Sequence, residues 1–181
     1  MQKNSEKLYV ELTSPLWEKY QGMVIPSIRI ITNICFMSEK ELGFPCLKGV
    51  PDNRELGFYV TLADDAEVTK MNYRWRYKNQ PTNILSFPNF DNQGSFTFPP
   101  EGIIPFGDLI LAFETIEKEA KQAGLLLMDH VNRLVIHGLF HLFGYNHVED
   151  DDFFAMRRRE MEALALAGIQ KTADMGYISL D

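Results

Sequence analysis

The sequence predicts an α+β protein, because segments typical of strands occur in the first two-thirds of the chain and helical segments fill its end. The strand segments are short, and they are either apolar throughout or alternate between apolar and polar residues. The helical segments repeat apolar residues every three or four positions. At 181 residues, the chain is expected to form one domain, residues 1–181, whose core needs no disulfide bonds.

Four segments are predicted to be strands. LYVELT alternates, GFYVTLADD is apolar up to a pair of acidic residues, TNILSFP is stopped by proline, and GDLILAF is apolar throughout. These strands begin at Leu8, Gly57, Thr82 and Gly107. Two segments rich in proline and glycine, residues 44–54 and 90–105, are predicted to be loops, and the longer loop has the length of a functional one.

Five segments are predicted to be helices. Acidic residues after the second strand are suited to cap one of them, and Gly124 is the predicted C-terminal stop of another because glycine adopts left-handed backbone angles. Three aspartates begin the last helix, where they complement its positive end. The helices cover residues 26–40, 66–74, 114–123, 128–143 and 150–167.

The composition is that of a protein from a reducing compartment. Cys35 and Cys46 are the only cysteines, too few for a disulfide framework. No run approaches the roughly 20 apolar residues that span a bilayer, and the N-terminus lacks a signal-peptide pattern, so a cytoplasmic location is expected. The net charge of −7 argues against nucleic-acid binding over the whole surface but leaves room for a local basic patch.

Three of the four histidines fall in HGLFHLFGYNH, from His137 to His147. His137 and His141 are four residues apart on a predicted helix, so both rings can reach one metal ion. Gly144 permits the turn that brings His147 back as a third ligand. His130 lies about 10 Å further along the helix axis and is expected to be a hydrogen-bonded core residue.

Three imidazoles leave a coordination position open, which favours a catalytic site over a closed structural one. One zinc ion is the expected metal, and nickel, copper and iron are alternatives that also bind imidazole. The spacing matches that of metzincin proteases, but Gly138 stands where those enzymes have their glutamate base. Peptidase activity is therefore disfavoured, and close approach of substrate or a packed strand is the expected reason for glycine.

A second segment combines basic and aromatic residues. Four cations alternate with three aromatic rings between Lys70 and Lys78, a composition that suits phosphate contacts and base stacking. The alternative is a solvated helix end whose aromatic rings pack inward. The run Arg157–Arg159 is expected to be an exposed helix face.

With both segments in view, the chain resembles the YbeY family of bacterial endoribonucleases, also called rRNA maturation factors. HGLFHLFGYNH, NYRWRYKNQPTNILSFP and GDLIL carry the resemblance, which covers about residues 8–165. It implies a zincin-like α+β fold: a small mixed sheet with helices packed on it and the histidine helix lining a cleft. Two departures are Asn146 and Asn83, where the family commonly has aspartate.

The resemblance also implies site residues and a function. It implies metal ligands at His137, His141 and His147 and a catalytic arginine at Arg76, which would stabilise charge on phosphorus-bound oxygens. We add Arg74 and Lys78 as RNA-binding candidates. The implied activity is metal-dependent cleavage of single-stranded RNA, in 16S rRNA 3′-end maturation and small-subunit quality control.

The implied partners are rRNA, the small ribosomal subunit and its assembly factors, with no membrane and no DNA. No general base is evident, and Asp108 and Ser86 are weak candidates that have simpler structural explanations. Two other functions are left open. One is a metal-stabilised ribosome-assembly factor with little catalysis, and the other is a zinc peptidase or amidase.

Overall fold

The computed structural model describes residues 5–42, 50, 53–90, 99–147 and 149–169. Within these ranges a short 3-10 helix, Pro15–Tyr20, precedes the first α-helix. The strands are β1 (Ser5–Leu12), β2 (Glu55–Ala63), β3 (Ile84–Pro88) and β4 (Ile104–Ala112). The helices are α1 (Gln21–Glu41), α2 (Asp65–Arg76), α3 (Phe113–Gln122), α4 (Leu127–Leu142) and α5 (Asp150–Leu166).

The four strands form one mixed sheet in the order β1-β2-β4-β3. β1 runs parallel to β2, and β2 runs parallel to β4, with Val60 opposite Leu109. β3 is antiparallel to β4 and forms an edge, with Ser86 opposite Leu109. The predicted α+β class, with a mixed sheet and helices packed on it, is confirmed.

The two faces of the sheet are covered by different helices, because side chains alternate along each strand. On β4, Leu109 and Leu111 belong to the main core, which also contains buried residues of α1, α4 and α5. Ile110 and Ala112 belong to a smaller cluster with Val68 of α2. The helix that carries the histidines therefore packs on the face opposite α2.

The predicted elements lie close to the observed ones, and the main differences are earlier starts. β1 begins at Ser5 instead of Leu8. α1 begins five residues before Pro26, because it continues directly from the 3-10 helix, and Pro26 lies inside it. β4 begins at Ile104 instead of Gly107, because Ile104 and Phe106 are buried and Ile104 pairs with Leu56. Residues 44–49, 51–52 and 91–98, most of the two predicted loops, lie outside the described residues, as does Cys46.

Asp64 caps α2 as expected. Its side chain accepts a hydrogen bond from the backbone N–H of Glu67 at 2.8 Å, which satisfies one of the free N–H groups at the helix start. Gly124 follows α3 with a φ of 65°, so the predicted glycine stop is also confirmed. Among the described helices, none is both long enough and apolar enough to cross a membrane.

Candidate metal centre

The position of the histidines follows from how α4 is buried and how it ends. Its apolar stripe, which includes Val131, Val135 and Leu139, is buried against the sheet and neighbouring helices. The helix ends at a glycine with a φ of 91°, Gly144, and the N–H of Tyr145 donates back to the carbonyl of Phe140 at 3.0 Å. This left-handed stop reverses the chain.

The reversal brings the three predicted histidines together. Nε2 of His137 lies 3.0 Å from Nε2 of His141. The His147 ring centroid is 5.8 Å from that of His137 and 5.1 Å from that of His141. One ligand atom from each histidine lies within 4.8 Å of the others, so the three rings could hold one metal ion.

The other ring nitrogens of two histidines are anchored by acceptors. Nδ1 of His141 lies 3.0 Å from the backbone carbonyl of Tyr145, which can only accept, so this nitrogen carries the proton. Nδ1 of His137 donates to the carboxylate of Glu160 at 2.7 Å. With the protons on Nδ1, both Nε2 lone pairs are available to a shared cation.

The charge states suit a cation site. Burial, and then the nearby charge of His137, lower the pKa of His141 to about 4, so its ring is neutral near pH 7. Burial alone would disfavour ionised Glu160, but the hydrogen bond from His137 and the charge of Arg157 outweigh it and hold the pKa of Glu160 below its ordinary value. A histidine that binds a metal must be neutral, and the N–H of its other ring nitrogen commonly donates to a carboxylate.

The donor set therefore fits a divalent transition metal. Two nitrogens about 2.1 Å from a zinc ion, at a tetrahedral angle, are about 3.4 Å apart, close to the separation of the Nε2 atoms of His137 and His141. Three neutral imidazoles are ligands that zinc, nickel, copper and iron all accept.

Gly138 is explained by packing. A Cβ atom there would lie 2.8 Å from Cδ1 of Ile84 and 2.8 Å from Cδ2 of Leu109, and 3.1 Å from Oγ of Ser86. Any side chain at this position would require Ile84, Leu109 or Ser86 to shift, which disfavours a glutamate base there. The expectation that a packed strand comes close to Gly138 is confirmed.

The two weak candidates for a general base are on opposite faces of the sheet. Ser86 faces α4, with its hydroxyl beside Gly138. Asp108 alternates with Leu109 and therefore points to the face covered by α2, where burial raises its pKa. Its side chain points away from the helix that carries the histidines.

The basic and aromatic segment lies at the end of α2. Arg74 and Arg76 are exposed in its last turn, and Lys78 is exposed just beyond the left-handed residue Tyr77. The side chains of Tyr73 and Trp75 are each 58% exposed and that of Tyr77 is 85% exposed, so the alternative of inward-packed rings is wrong.

Edge strand β3 lies next to both regions. The ring centroid of Trp75 is 5.9 Å from that of Phe87, while Ser86 on the same strand approaches Gly138. Asn72 is buried and donates from Nδ2 to the carbonyl of Gln80 at 2.8 Å, which holds the segment after α2 against that helix.

The fourth histidine has a structural environment, as expected. Nε2 of His130 lies 2.8 Å from a carboxylate oxygen of Glu119, and that carboxylate also accepts from Nδ2 of Asn83 at 3.1 Å. An aspartate at position 83 could not donate this hydrogen bond. The departure from the family at this position therefore has a local structural reason.

The prediction for Arg157–Arg159 is wrong for Arg159. Its side chain is only 14% exposed and donates to Glu39, which is fully buried in α1, at 2.8 Å, and to Ser38 at 2.7 Å. The pairing joins residues 120 positions apart, so no local charge pattern could reveal it. Arg157 and Arg158 pair with glutamates of α5 itself, Glu160 and Glu162.

The sequence prediction also missed Glu160. It lies on the buried face of α5, between Met156 and Ala163, at the spacing of a core position. A glutamate at such a position is rarely buried without a partner. A glutamate at a core position of the helix was therefore the sequence signal for a buried partner.

Comparison with known proteins gives a consistent result. A family model described as "Endoribonuclease YbeY" matches residues 44–168. The protein of that name from Paramagnetospirillum magneticum is 44% identical over 110 residues, which are 61% of this chain and 66% of that protein. The one from Ruegeria pomeroyi is 41% identical over 59% of this chain and 69% of its own length.

A third relative is matched over more of its length. The endoribonuclease YbeY of Sinorhizobium fredii is 35% identical over 158 residues, 86% of this chain and 83% of that protein. By contrast, the chain spans only about two thirds of the length of the first two relatives. The solution structure of TM1509 from Thermotoga maritima is 17% identical, with a TM-score of 0.49 over 93% of this chain and 99% of that one.

Proposed function

Because the chain belongs to the YbeY endoribonuclease family, we propose that it is a metal-dependent endoribonuclease that cleaves single-stranded RNA. The observation that carries the metal dependence is the convergence of His137, His141 and His147, whose ligand atoms lie within 4.8 Å of one another. Family membership supports the hydrolase class and RNA as the substrate.

We propose that the setting is rRNA processing. The specific role is maturation of the 3′ end of 16S rRNA and quality control of the small ribosomal subunit, with that subunit and its assembly factors as partners. This role places the protein in the cytoplasm as a single-domain enzyme, with no role for DNA or membranes. The names of the relatives support RNA cleavage, and the ribosomal setting follows from the resemblance described above.

The proposed metal is one zinc ion held by Nε2 of His137, Nε2 of His141 and a ring nitrogen of His147. When bound, such an ion supplies Lewis-acid stabilisation of a phosphodiester and makes water acidic enough to react near neutral pH. The residues of the chain prepare the site by keeping His141 neutral and by fixing the proton on Nδ1 of both helical histidines.

The end of α2 is the proposed RNA-binding surface. Arg76 is proposed as the catalytic residue whose guanidinium binds the non-bridging phosphate oxygens as negative charge develops on them. Arg74 and Lys78 would bind neighbouring phosphates, and the exposed rings of Trp75 and Tyr77 would stack on unpaired bases. This surface concentrates positive charge on a chain with a net charge of −7.

The peptidase alternative is disfavoured by Gly138. The side chains of Ile84 and Leu109 fill the space that a glutamate base would need. The assembly-factor alternative uses the same histidines and the same surface, so it differs from the proposal only in the absence of cleavage.

A cleavage assay with matched metal analysis tests the proposal. Purified wild-type chain and the His141→Ala variant would be incubated with a fluorescent single-stranded RNA, with and without chelator. We expect about one zinc ion per wild-type chain, cleavage that the chelator stops, and neither metal nor cleavage in the variant. Equal cleavage by both proteins would identify a contaminating nuclease, and metal without cleavage would favour the assembly factor.

A further inference from the structure

Glu160 is a buried carboxylate in direct contact with a histidine of the candidate metal centre. It lies on the inner face of α5, and 9% of the residue is exposed. One oxygen, Oε1, is 2.7 Å from Nδ1 of His137, and the other, Oε2, is 3.3 Å from Nη1 of Arg157. Both oxygens therefore have a partner, and the carboxylate is held between a ring in the core and a guanidinium at the surface.

We infer that Glu160 is a positioning residue that sets the metal affinity of the centre by fixing the orientation and tautomer of His137. The inference rests on the proposed function, since it assumes that Nε2 of His137 binds the cation. A carboxylate on Nδ1–H keeps the ring from rotating away from the position where Nε2 faces His141. It also increases electron density on the ring and makes Nε2 a stronger donor.

The two helical histidines are supported differently. Nδ1 of His141 donates to the neutral carbonyl of Tyr145, close in sequence and part of the turn that ends α4. Nδ1 of His137 donates to an ionised group from another helix, and charge-assisted hydrogen bonds are roughly twice as strong as neutral ones. α5 therefore contributes to the metal centre without supplying one of the three candidate ligands.

Arg157 completes the arrangement. Its side chain is 42% exposed, so its ion pair with Glu160 contributes little to the stability of the fold. A purely structural glutamate would gain little from this geometry, because burying it costs free energy. The contact with His137 gives the buried carboxylate a reason to be there.

The test compares two substitutions at Glu160 with a matched control on the same helix. Glu160→Gln removes the charge but leaves an oxygen that can accept from Nδ1, and Glu160→Met removes the acceptor at similar length. Glu162→Gln changes another ion-paired glutamate of α5, whose partners are Arg158 and Arg159. Zinc affinity would be measured by competition with a chromophoric chelator, and the Co²⁺ absorption spectrum and unfolding of the metal-free protein would be recorded.

We expect zinc to bind about tenfold more weakly to Glu160→Gln and up to about 100-fold more weakly to Glu160→Met. The Co²⁺ bands should change in both variants, whereas Glu162→Gln should match the wild type. Unchanged affinity and spectra in both Glu160 variants would overturn the inference, as would loss of the metal-free fold in Glu160→Gln, which would make the role structural. A wild-type chain that binds no zinc would instead refute the metal centre of the proposed function.

Discussion

Gly138 lies where α4 crosses the sheet, and the side chains nearest to it come from β3 and β4. Replacing it with alanine gains about 1 kcal/mol of helix propensity but forces the new methyl group against Ile84 and Leu109, at a cost of about 1–3 kcal/mol. We expect Gly138→Ala to lower the free energy of unfolding by about 1 kcal/mol, measured by chemical denaturation.

Gly22 provides the matched control. It lies in the first turn of α1, and a Cβ there would have nothing within 4 Å. Gly22→Ala should stabilise the chain by up to about 1 kcal/mol. Adding Ile84→Val to Gly138→Ala should cost less than the sum of the two single changes, because it removes one colliding methyl group. Strict additivity, or a stabilised Gly138→Ala variant, would contradict the packing explanation.

Arg76 is the residue whose substitution separates chemistry from metal binding. It is exposed near the end of α2, so Arg76→Glu should leave the fold and the zinc content unchanged. Cleavage of single-stranded RNA should fall by at least about 100-fold, the size of effect expected when a transition-state charge partner is lost. Arg158→Glu, at a similarly exposed arginine on α5, is the control, and full activity of Arg76→Glu would refute the proposed role.

Among the helices, α5 is fixed to α1 by the buried pair Arg159–Glu39. Burial raises the pKa of Glu39, and the hydrogen bond and charge of Arg159 oppose this rise without reversing it. Arg159→Ala would leave the Glu39 carboxylate buried without its guanidinium partner, so we expect a loss of about 3 kcal/mol at pH 7. Joint replacement by Glu39→Gln and Arg159→Met should recover most of that loss.

The pH dependence of this variant has a definite sign. A carboxyl group whose pKa is higher in the folded state binds a proton more readily there. Its protonation therefore stabilises the fold at low pH, and this contribution is lost as pH rises through the folded pKa. The destabilisation of Arg159→Ala relative to wild type should therefore shrink between pH 7 and pH 5. Denaturation curves at the two pH values measure it, and a constant or growing difference would contradict the assignment.

The end of α2 should bind RNA mainly through its charges and exposed rings. Arg74→Ala and Lys78→Ala should each weaken RNA binding and reduce the slope of log K against log salt by about 0.7. Trp75→Ala should cost about 1–3 kcal/mol of binding with little change in that slope. Fluorescence anisotropy over a salt series tests this, with Lys121→Ala, a partner of Glu117 on α3, as control.

The elements could be predicted from the sequence where a single period dominates. The stripe of α4 and the alternation of β1 are local patterns, and the acceptor at Asp64 and the glycine at Gly144 mark ends by backbone chemistry alone. The predicted start of β4 was late, because its first residues belong to a segment rich in proline and glycine and only pairing with β2 makes them a strand.

For the candidate site, the three histidines were predictable because two share a helix and the third follows a glycine turn. Glu160 and the buried state of Arg159 were not predicted, since their partners His137 and Glu39 lie 23 and 120 positions away. The particular side chains that leave no space at Gly138 were not predictable either, because they depend on how the sheet packs against that residue. Contacts between distant parts of the chain leave no local periodic pattern in the sequence from which they could be predicted.

For the molecule as a whole, α4 connects the sheet to the other helices of its face, since it packs on β3, β4, α1, α3 and α5. A cation bound to α4 and its C-terminal turn should therefore stabilise the global fold through mass action. At a free zinc concentration 100 times the Kd, the gain is about 2.7 kcal/mol, or a rise in Tm of about 5–10 °C.

Differential scanning calorimetry with zinc and with chelator measures this rise. The His141→Ala variant, which lacks one Nε2 of the close pair, should show little or no rise. A wild-type Tm that does not respond to zinc would contradict a specific site in the folded state.

The tight contact at Gly138 also restricts what this protein can evolve into. A single codon change could place an acidic side chain after the first histidine, as in the proteases with the same spacing, but that product would not pack. The Ile84 and Leu109 side chains would have to shift or become smaller, and removing their methyl groups would weaken the core. A route from this fold to a peptidase of that type would therefore pass through less stable intermediates.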